Sequence, residues 1–467
     1  MALHTPKEVL RQVVIGGMVE GGRCVARVNG LVLFVTQVAP GDIADLRIVS
    51  KKKGYAEAVP VYIHNASHVR IQPFCQHFGV CGGCQWQHVN YAEQLAAKER
   101  LVLEKLVHIG HLQSPRVAPI LAASPTEYYR NKLEFTFSNK RWLSTTEIEE
   151  HAPLDRRALG FHKPGYFDKI VDIEHCYLQP VPSNAIRTTL AQFAKEQDLG
   201  FYDLCENNGL LRNLIIRTTT TGEVMVVVQF GQAVADSIER VMHHLQTQFP
   251  QLTSLQYVVN TKKNETFYDL PVCLYHGQSF ITEQIDGLQF RIGPKSFFQT
   301  NTVQTQVLYR KIRELADLHD DEIVYDLYTG VGSIAISLAQ YARHIVGIDV
   351  TEAAIADAQV NAGINNVGNT TFVAGEVERL LDAQFLSTYG NPHVIVTDPP
   401  RAGMHPKVIR QLFHIAPDRI VYVSCNPATQ ARDILLLSEK YQLITAQPID
   451  MFPHTHHVEN VALLTKQ

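Results

Sequence analysis

The stretch Asp326-Leu-Tyr-Thr-Gly-Val-Gly-Ser333 decides the fold. The apolar run EIVYDLY leads into it and SIAISLAQYA leads out, so the segment closes a strand and opens a helix. Gly330 and Gly332 permit a tight turn there and let a ligand approach the backbone closely. Working outward, HIVGIDV, TTFVAG, HVIVTD and RIVYVSC read as further strands, and EAAIADAQVNAG and HPKVIRQLFHIA as helices. This alternation from about residue 290 predicts a doubly wound, mostly parallel sheet. Asp349 ends the strand after the glycine turn, where a carboxylate can accept hydrogen bonds from ribose hydroxyls.

The turn lacks the third glycine with which dinucleotide-binding folds relieve crowding around a pyrophosphate. S-adenosylmethionine carries no phosphate, and the turn plus Asp349 look like the first two motifs of the class I methyltransferases. Farther along, Asp398-Pro-Pro-Arg401 follows the strand HVIVT, so it starts at the carboxyl edge of the sheet beside the ligand crevice. Pro399 and Pro400 keep the chain extended and stiff.

Cys425 directly follows the strand RIVYVS and projects at the same edge. A lone strand-end cysteine is most often a small buried hydrophobe, but the flanking Asn426-Pro427 and the upstream DPPR favour a nucleophile. Glu459 opens the apolar strand ENVALL after the His-rich turn PHTHH, and a carboxylate there is costly unless paired or functional. One thiol and one base are what C5 methylation of uracil requires: addition at C6 loads electron density onto C5, and a base then removes the C5 proton. His454, His456 and His457 could suggest a metal site; turn histidines beside RNA or a carboxylate fit better.

The rest of the chain divides in two. Residues 1–65 carry short β-rich runs separated by turns at Asn29-Gly30 and Ala39-Pro40-Gly41, which suits a small barrel. Residues 66–285 form a β-rich central domain, with a helix over about 90–112 that could pack on the catalytic domain of residues 286–467. The chain of 467 residues has a net charge of −4, so RNA contact must come from local patches. The first 70 residues provide one, with nine Lys/Arg against five Asp/Glu. No apolar run approaches the roughly 18 residues of a membrane span, and no signal peptide is read at the N-terminus. A cytoplasmic protein is expected.

At this point the chain closely resembles the RNA uracil-C5 methyltransferase family, in its members with an N-terminal TRAM domain and an iron–sulfur cluster. The matching segments are GGRCVARVNG with PGD, CQHFGVCGGC, YYRNKLEFTF, Cys176, SFFQTN, DLYTGVGS, DPPRAGMHP, VSCNP and HTHHVE. The resemblance implies a class I, Rossmann-like α/β methyltransferase domain, an OB-like TRAM barrel and a central domain carrying a four-cysteine [4Fe–4S] cluster. It implies Cys425 as nucleophile, Glu459 as base, and Gln299, Tyr328, Gly330, Ser333, Asp349 and Asp398 around S-adenosylmethionine. Asp398 would also lie near the uracil edge.

Of eight cysteines, Cys75-x5-Cys81-x2-Cys84 place three thiols in one glycine-rich loop, with Cys176 as the candidate fourth. Four thiolates suit either a [4Fe–4S] cluster or structural zinc; the resemblance selects the cluster. Arg23, Arg27, Lys51, Lys52 and Lys53 on the barrel offer cations to phosphate. Arg130, Asn131 and Lys132, set between Tyr129 and Phe135, suit stacking plus phosphate binding. The expected partner is 23S ribosomal RNA, because the family's bacterial transfer-RNA enzyme resembles only the middle and C-terminal parts of this chain. Transfer RNA is the alternative substrate, and a catalytically idle RNA-binding or ribosome assembly factor the rival from another class. No obligate protein partner is evident.

Overall fold

A computed structural model describes residues 8–149 and 154–467. Its N-terminal part is a six-stranded sheet built from Val9–Val14, Met18–Val19, Arg23–Val28, Leu31–Val35, Ile43–Lys52 and Tyr55–Asn65. The first strand pairs with the fifth, and its exit returns to the third, where Gly16 N donates to Val25 O at 2.7 Å. The sheet therefore curls into a barrel around Val13, Leu33, Val35, Leu46 and Ala56. A Cβ on Gly16 would stand 2.9 Å from Val25 O, so this closure needs a glycine. Asn29 and Gly30 both take positive φ, the backbone of a tight hairpin turn with the strand twist built in.

The central part is a seven-stranded sheet with Leu211–Thr218 and Val224–Phe230 at its middle. These two strands are buried on both faces, so their sequences LRNLIIRT and VMVVVQF show no apolar–polar alternation. Leu214, Ile216, Val226 and Val228 belong to the core shared with the helices Ser183–Glu196 and Ala235–Gln248. Ile215, Met225 and Val227 face the other way, into a core continuous with the C-terminal domain. The hairpin Ile281–Ile285/Leu288–Ile292 joins that same core.

The C-terminal sheet consists of β1 (Ile323–Leu327), β2 (His344–Asp349), β3 (Thr370–Ala374), β4 (Val394–Thr397), β5 (Arg419–Ser424), β6 (Tyr441–Ile449) and β7 (Glu459–Lys466). Their order is β3-β2-β1-β4-β5-β7-β6. The first five run parallel; β7 is antiparallel to both β5 and β6. The strand order reverses between β1 and β4, which opens a crevice at their carboxyl ends. The antiparallel return of β7 brings its first residues to this same edge: Ser424 at the end of β5 pairs with Asn460.

The helix Tyr91–His108 is capped by Asn90, whose side chain accepts the Glu93 N–H. Val102 and Leu106 pack into the C-terminal core with Tyr422, Ala431 and Ile434, while Ala97 joins the barrel core. This helix thus bridges the first and last parts of the chain. No helix among the described residues is long and apolar enough to cross a membrane.

Candidate active site

The glycine turn is shaped by backbone rather than side chain. Tyr328, Gly330 and Gly332 all take positive φ. A Cβ on Gly332 would meet Ala358 at 2.9 Å, whereas Gly330 faces open space within 4 Å. Asp349 at the end of β2 accepts Gly330 N at 3.0 Å and Thr351 N at 2.8 Å, so it both fixes the turn and stands at its rim. Beneath it, buried Asp326 accepts Thr329 Oγ1 at 2.6 Å and Ala335 N at 3.1 Å. Its other carboxylate oxygen has no partner. Ser333 is engaged with the Tyr309 hydroxyl at 2.6 Å.

A row of carboxyl groups lies along the crevice. Burial pushes Asp326 up to about 7, helped by Asp349. Burial and the Asp326 charge do the same to Asp398, also to about 7. Glu459, 4% exposed, is raised well above the usual carboxylate range by burial and then by Asp398, against the opposing pull of Arg401. Burial first, and then repulsion between neighbouring carboxylates, holds such a row up. A cationic ligand would settle it, and the sulfonium and ammonium of S-adenosylmethionine are such cations. The open face of Gly330, the unpaired Asp326 oxygen and the rim carboxylate of Asp349 fit the same molecule.

Cys425 follows β5 and is half-buried. Burial, with Glu459 and Asp398 adding to it, pushes its thiol up to about 11, while a hydrogen bond and the charge of Arg401 pull it down. Asn426 caps the helix Pro427–Leu437 through Ala428 N, and its Nδ2 donates to Arg401 O at 3.0 Å. The VSCNP and DPPR loops are thereby tied together. Arg401 Nη2 donates to His457 Nδ1 at 2.8 Å, and the His456 and His457 rings lie 4.1 Å apart. Arg401, Cys425, Asn426, His456 and His457 line a cavity of about 170 Å³, together with the Glu20–Lys105 ion pair at 3.3 Å.

Gln299 sits on the neighbouring SFFQTN loop. Asn131 Nδ2 donates to Gln299 O and to Thr302 Oγ1, both at 2.9 Å. The amide nitrogen of Asn131 thus helps to hold the Gln299 loop. Arg130 packs over the Phe452 ring, and Lys132 is half-buried, with burial lowering its basicity. On the barrel, Arg27 and Lys51 to Lys53 are exposed, whereas Arg23 leans on Phe34 and pairs with Glu57 at 3.4 Å. Phe297 is 71% exposed beside Gln299; sequence reasoning passed over it, though an aromatic ring two residues from a cofactor position was the available signal. Arg401 enters the sequence reading only as the end of the DPPR segment, and its reach to Cys425 depends on the fold of that loop.

Cys75, Cys81, Cys84 and Cys176 line one apolar pocket with Phe78, Phe161 and Leu178. Burial pushes Cys81 and Cys84 up to about 12 and also raises Cys75 and Cys176, and the four thiols reinforce one another. No group of three or more His, Cys, Asp or Glu among the described residues is arranged to hold a metal ion. A single tetrahedral zinc at about 2.3 Å from each sulfur would draw four thiolates together tightly. Four buried thiols lining one pocket are a donor set that either zinc or a cluster takes.

The comparisons with known proteins bear on the whole arrangement. Residues 206–467 match the family model described as tRNA (uracil-5-)-methyltransferase. The chain belongs to that family. It is an S-adenosylmethionine-dependent RNA (uracil-5-)-methyltransferase. The enzyme is 49% identical over 451 residues to an uncharacterized RNA methyltransferase of Bacteroides thetaiotaomicron, covering 96% of this chain and 99% of that one. It is 38% identical to one from Chlorobaculum tepidum, covering 98% and 99%. Among solved structures it is similar to the Pyrococcus abyssi tRNA (uracil-54, C5)-methyltransferase in complex with S-adenosyl-L-homocysteine. That likeness has a TM-score of 0.73 and 28% identity, and covers 97% of this chain and 100% of the other. The class I fold with an N-terminal β-rich region is common to both.

Proposed function

We propose that the enzyme methylates C5 of a uridine in 23S ribosomal RNA, with Cys425 as nucleophile and Glu459 as base. One observation carries the chemistry: β7 returns antiparallel beside β5, so Glu459 and Cys425 share one edge of the sheet with Asp398 and Arg401. Gln299, Tyr328, Gly330, Asp349 and Asp398 would hold S-adenosylmethionine, which would supply the electrophilic methyl group. The Cys425 thiolate adds to C6 of the flipped uracil, and the ring electrons move onto the C4 oxygen. C5 then takes the methyl group as the methyl–sulfonium bond breaks and S-adenosylhomocysteine is left. Glu459, as carboxylate, removes the C5 proton; the C5–C6 double bond re-forms and the C6–sulfur bond breaks. Arg401 favours the thiolate, and exposed Phe297 offers a face on which a base can stack.

Cys75, Cys81, Cys84 and Cys176 would hold a [4Fe–4S] cluster with a structural role, since methyl transfer consumes no electron. The barrel's exposed cations grip RNA away from the target base. A second reading, transfer RNA as substrate, is favoured by the full-length likeness to an enzyme described as acting on tRNA uracil-54. The test of the chemistry is Glu459→Gln: methyl transfer proceeds, proton removal does not, and a protein–RNA adduct persists on a denaturing gel. Normal turnover without adduct would overturn the assignment of Glu459.

A further inference from the structure

Gln85 directly follows Cys84, and everything around it converges on the catalytic loop. Its backbone N–H and that of Trp86 donate to His454 O at 2.8 and 3.0 Å. Its side-chain oxygen accepts from His456 Nδ1 at 2.7 Å and from the His456 backbone N–H at 3.3 Å. The backbone donor settles the amide orientation, because an NH2 group there would face another donor. An oxygen can only accept, so Nδ1 of His456 carries the hydrogen and Nε2 is left as an acceptor. The opposite holds next door. Arg401 can only donate, so His457 Nδ1 accepts and its Nε2 carries the hydrogen. Burial lowers the basicity of both rings, and for His457, where His456 and Arg401 add to it, pushes it down to about 3.

The result is an unbroken row from the cysteine loop to the thiol: Gln85, His456, His457, Arg401, Cys425. The barrel presses on its first member, since a Cβ on Gly22 would stand 2.9 Å from Gln85 Cβ. We propose that Gln85 is a positioning residue for methyl transfer: by fixing the tautomer and place of His456 it holds the His457–Arg401 pair against the Cys425 thiol. The inference rests on the reading of Cys425 as the reacting group. It also gives the four-cysteine loop a task, because that loop sets where Gln85 stands.

The test compares Gln85→Leu, which keeps the shape and removes the acceptor, with Gln85→Glu, which keeps an accepting oxygen. The first readout needs no RNA: the second-order rate at which iodoacetamide alkylates Cys425, followed by mass spectrometry. The Leu variant should react roughly fivefold more slowly, as for one lost hydrogen bond between neutral groups, and the Glu variant close to wild type. The second readout is single-turnover methylation, expected to fall in the Leu variant with RNA affinity and iron content unchanged. Wild-type alkylation in the Leu variant would overturn the proposal. So would a Leu variant that loses iron or RNA binding together with reactivity, for Gln85 would then be a structural residue only. If Cys425→Ala still methylates RNA, the reading of the nucleophile fails, while the alkylation comparison still reports on Gln85.

Discussion

Lys98 and Asp450 meet across 352 residues of chain, Nζ to Oδ1 at 2.6 Å, with both side chains fully buried. Lys98 also donates to Phe452 O at 3.0 Å, and the Tyr91 hydroxyl donates to the other Asp450 oxygen at 2.8 Å. The helix Tyr91–His108 thereby grips the loop that leads to Glu459. Burial lowers Lys98, and Asp450 counters it. Breaking such a pair leaves one charge buried alone, whereas replacing both partners does not. Lys98→Met should cost about 3–5 kcal/mol, seen as a lowered calorimetric transition. Lys98→Met with Asp450→Leu should recover part of that loss, and a double variant worse than the single one would contradict the pairing.

Cys425→Ala should reduce methylation to background while binding S-adenosylmethionine as tightly as the wild type in isothermal titration calorimetry. The separation follows from geometry: of the residues proposed to hold the cofactor, Tyr328, Gly330, Asp349 and Asp398 lie at the ends of β1, β2 and β4, whereas the thiol lies at the end of β5. Residual turnover close to wild type would exclude a covalent mechanism through this residue.

The thiol's position predicts a pH response. A group raised from 9.0 to about 11 keeps gaining thiolate well past pH 9. In the free enzyme, alkylation of Cys425 should therefore climb steadily from pH 7 to pH 10, measured rate by rate in buffers of one ionic strength. S-adenosylmethionine, a cation beside Asp398, should lower the midpoint. So should Glu459→Gln, because the Glu459 charge is one cause of the rise. A plateau already at pH 9 would contradict the burial argument.

The class I sheet was legible because parallel strands covered on both faces are unbroken apolar runs, and three of them end at or just before a residue with chemistry: Asp349, Asp398 and Cys425. The Asn29-Gly30 hairpin was legible for the same local reason, a turn type that demands those residues. What the sequence concealed is long-range. Glu459 reaches the edge of the sheet only because β6 and β7 form a hairpin that reverses direction. Asn131 reads as a surface residue between aromatics until the fold sets it beneath Gln299. Gln85 looks like a spacer after the last cysteine of its loop, and its meaning depends on His456, more than 300 residues away.

Anaerobically purified protein should be brown and carry about four irons, as a cubane on four thiolates does. Cys81→Ser should lose colour and iron. Since Cys84 and Gln85 are adjacent, it should also slow the alkylation of Cys425. One zinc per chain in a colourless protein would replace the cluster.

The last prediction concerns the RNA. Arg27, Lys51, Lys52 and Lys53 are exposed on the barrel, remote in sequence from Cys425. Lys51 has only a 3.9 Å contact with Glu8, and Lys52 leans on Tyr55. Cations so placed add phosphate contacts without reading bases, an arrangement suited to a large folded RNA that extends beyond the target loop. Replacing Lys51, Lys52 and Lys53 by Ala should flatten the dependence of log affinity on log salt by about 2–3, measured by filter binding on a 23S fragment. The same variant should lose less on a compact RNA that ends near the active site. Transcripts of 23S ribosomal RNA and of transfer RNA at equal concentration, competing for one enzyme preparation, decide between the two substrates. Preferential methylation of the ribosomal transcript, sensitive to the lysine triplet, is expected. Preference for transfer RNA would overturn the substrate assignment and leave the chemistry at Cys425 as it stands.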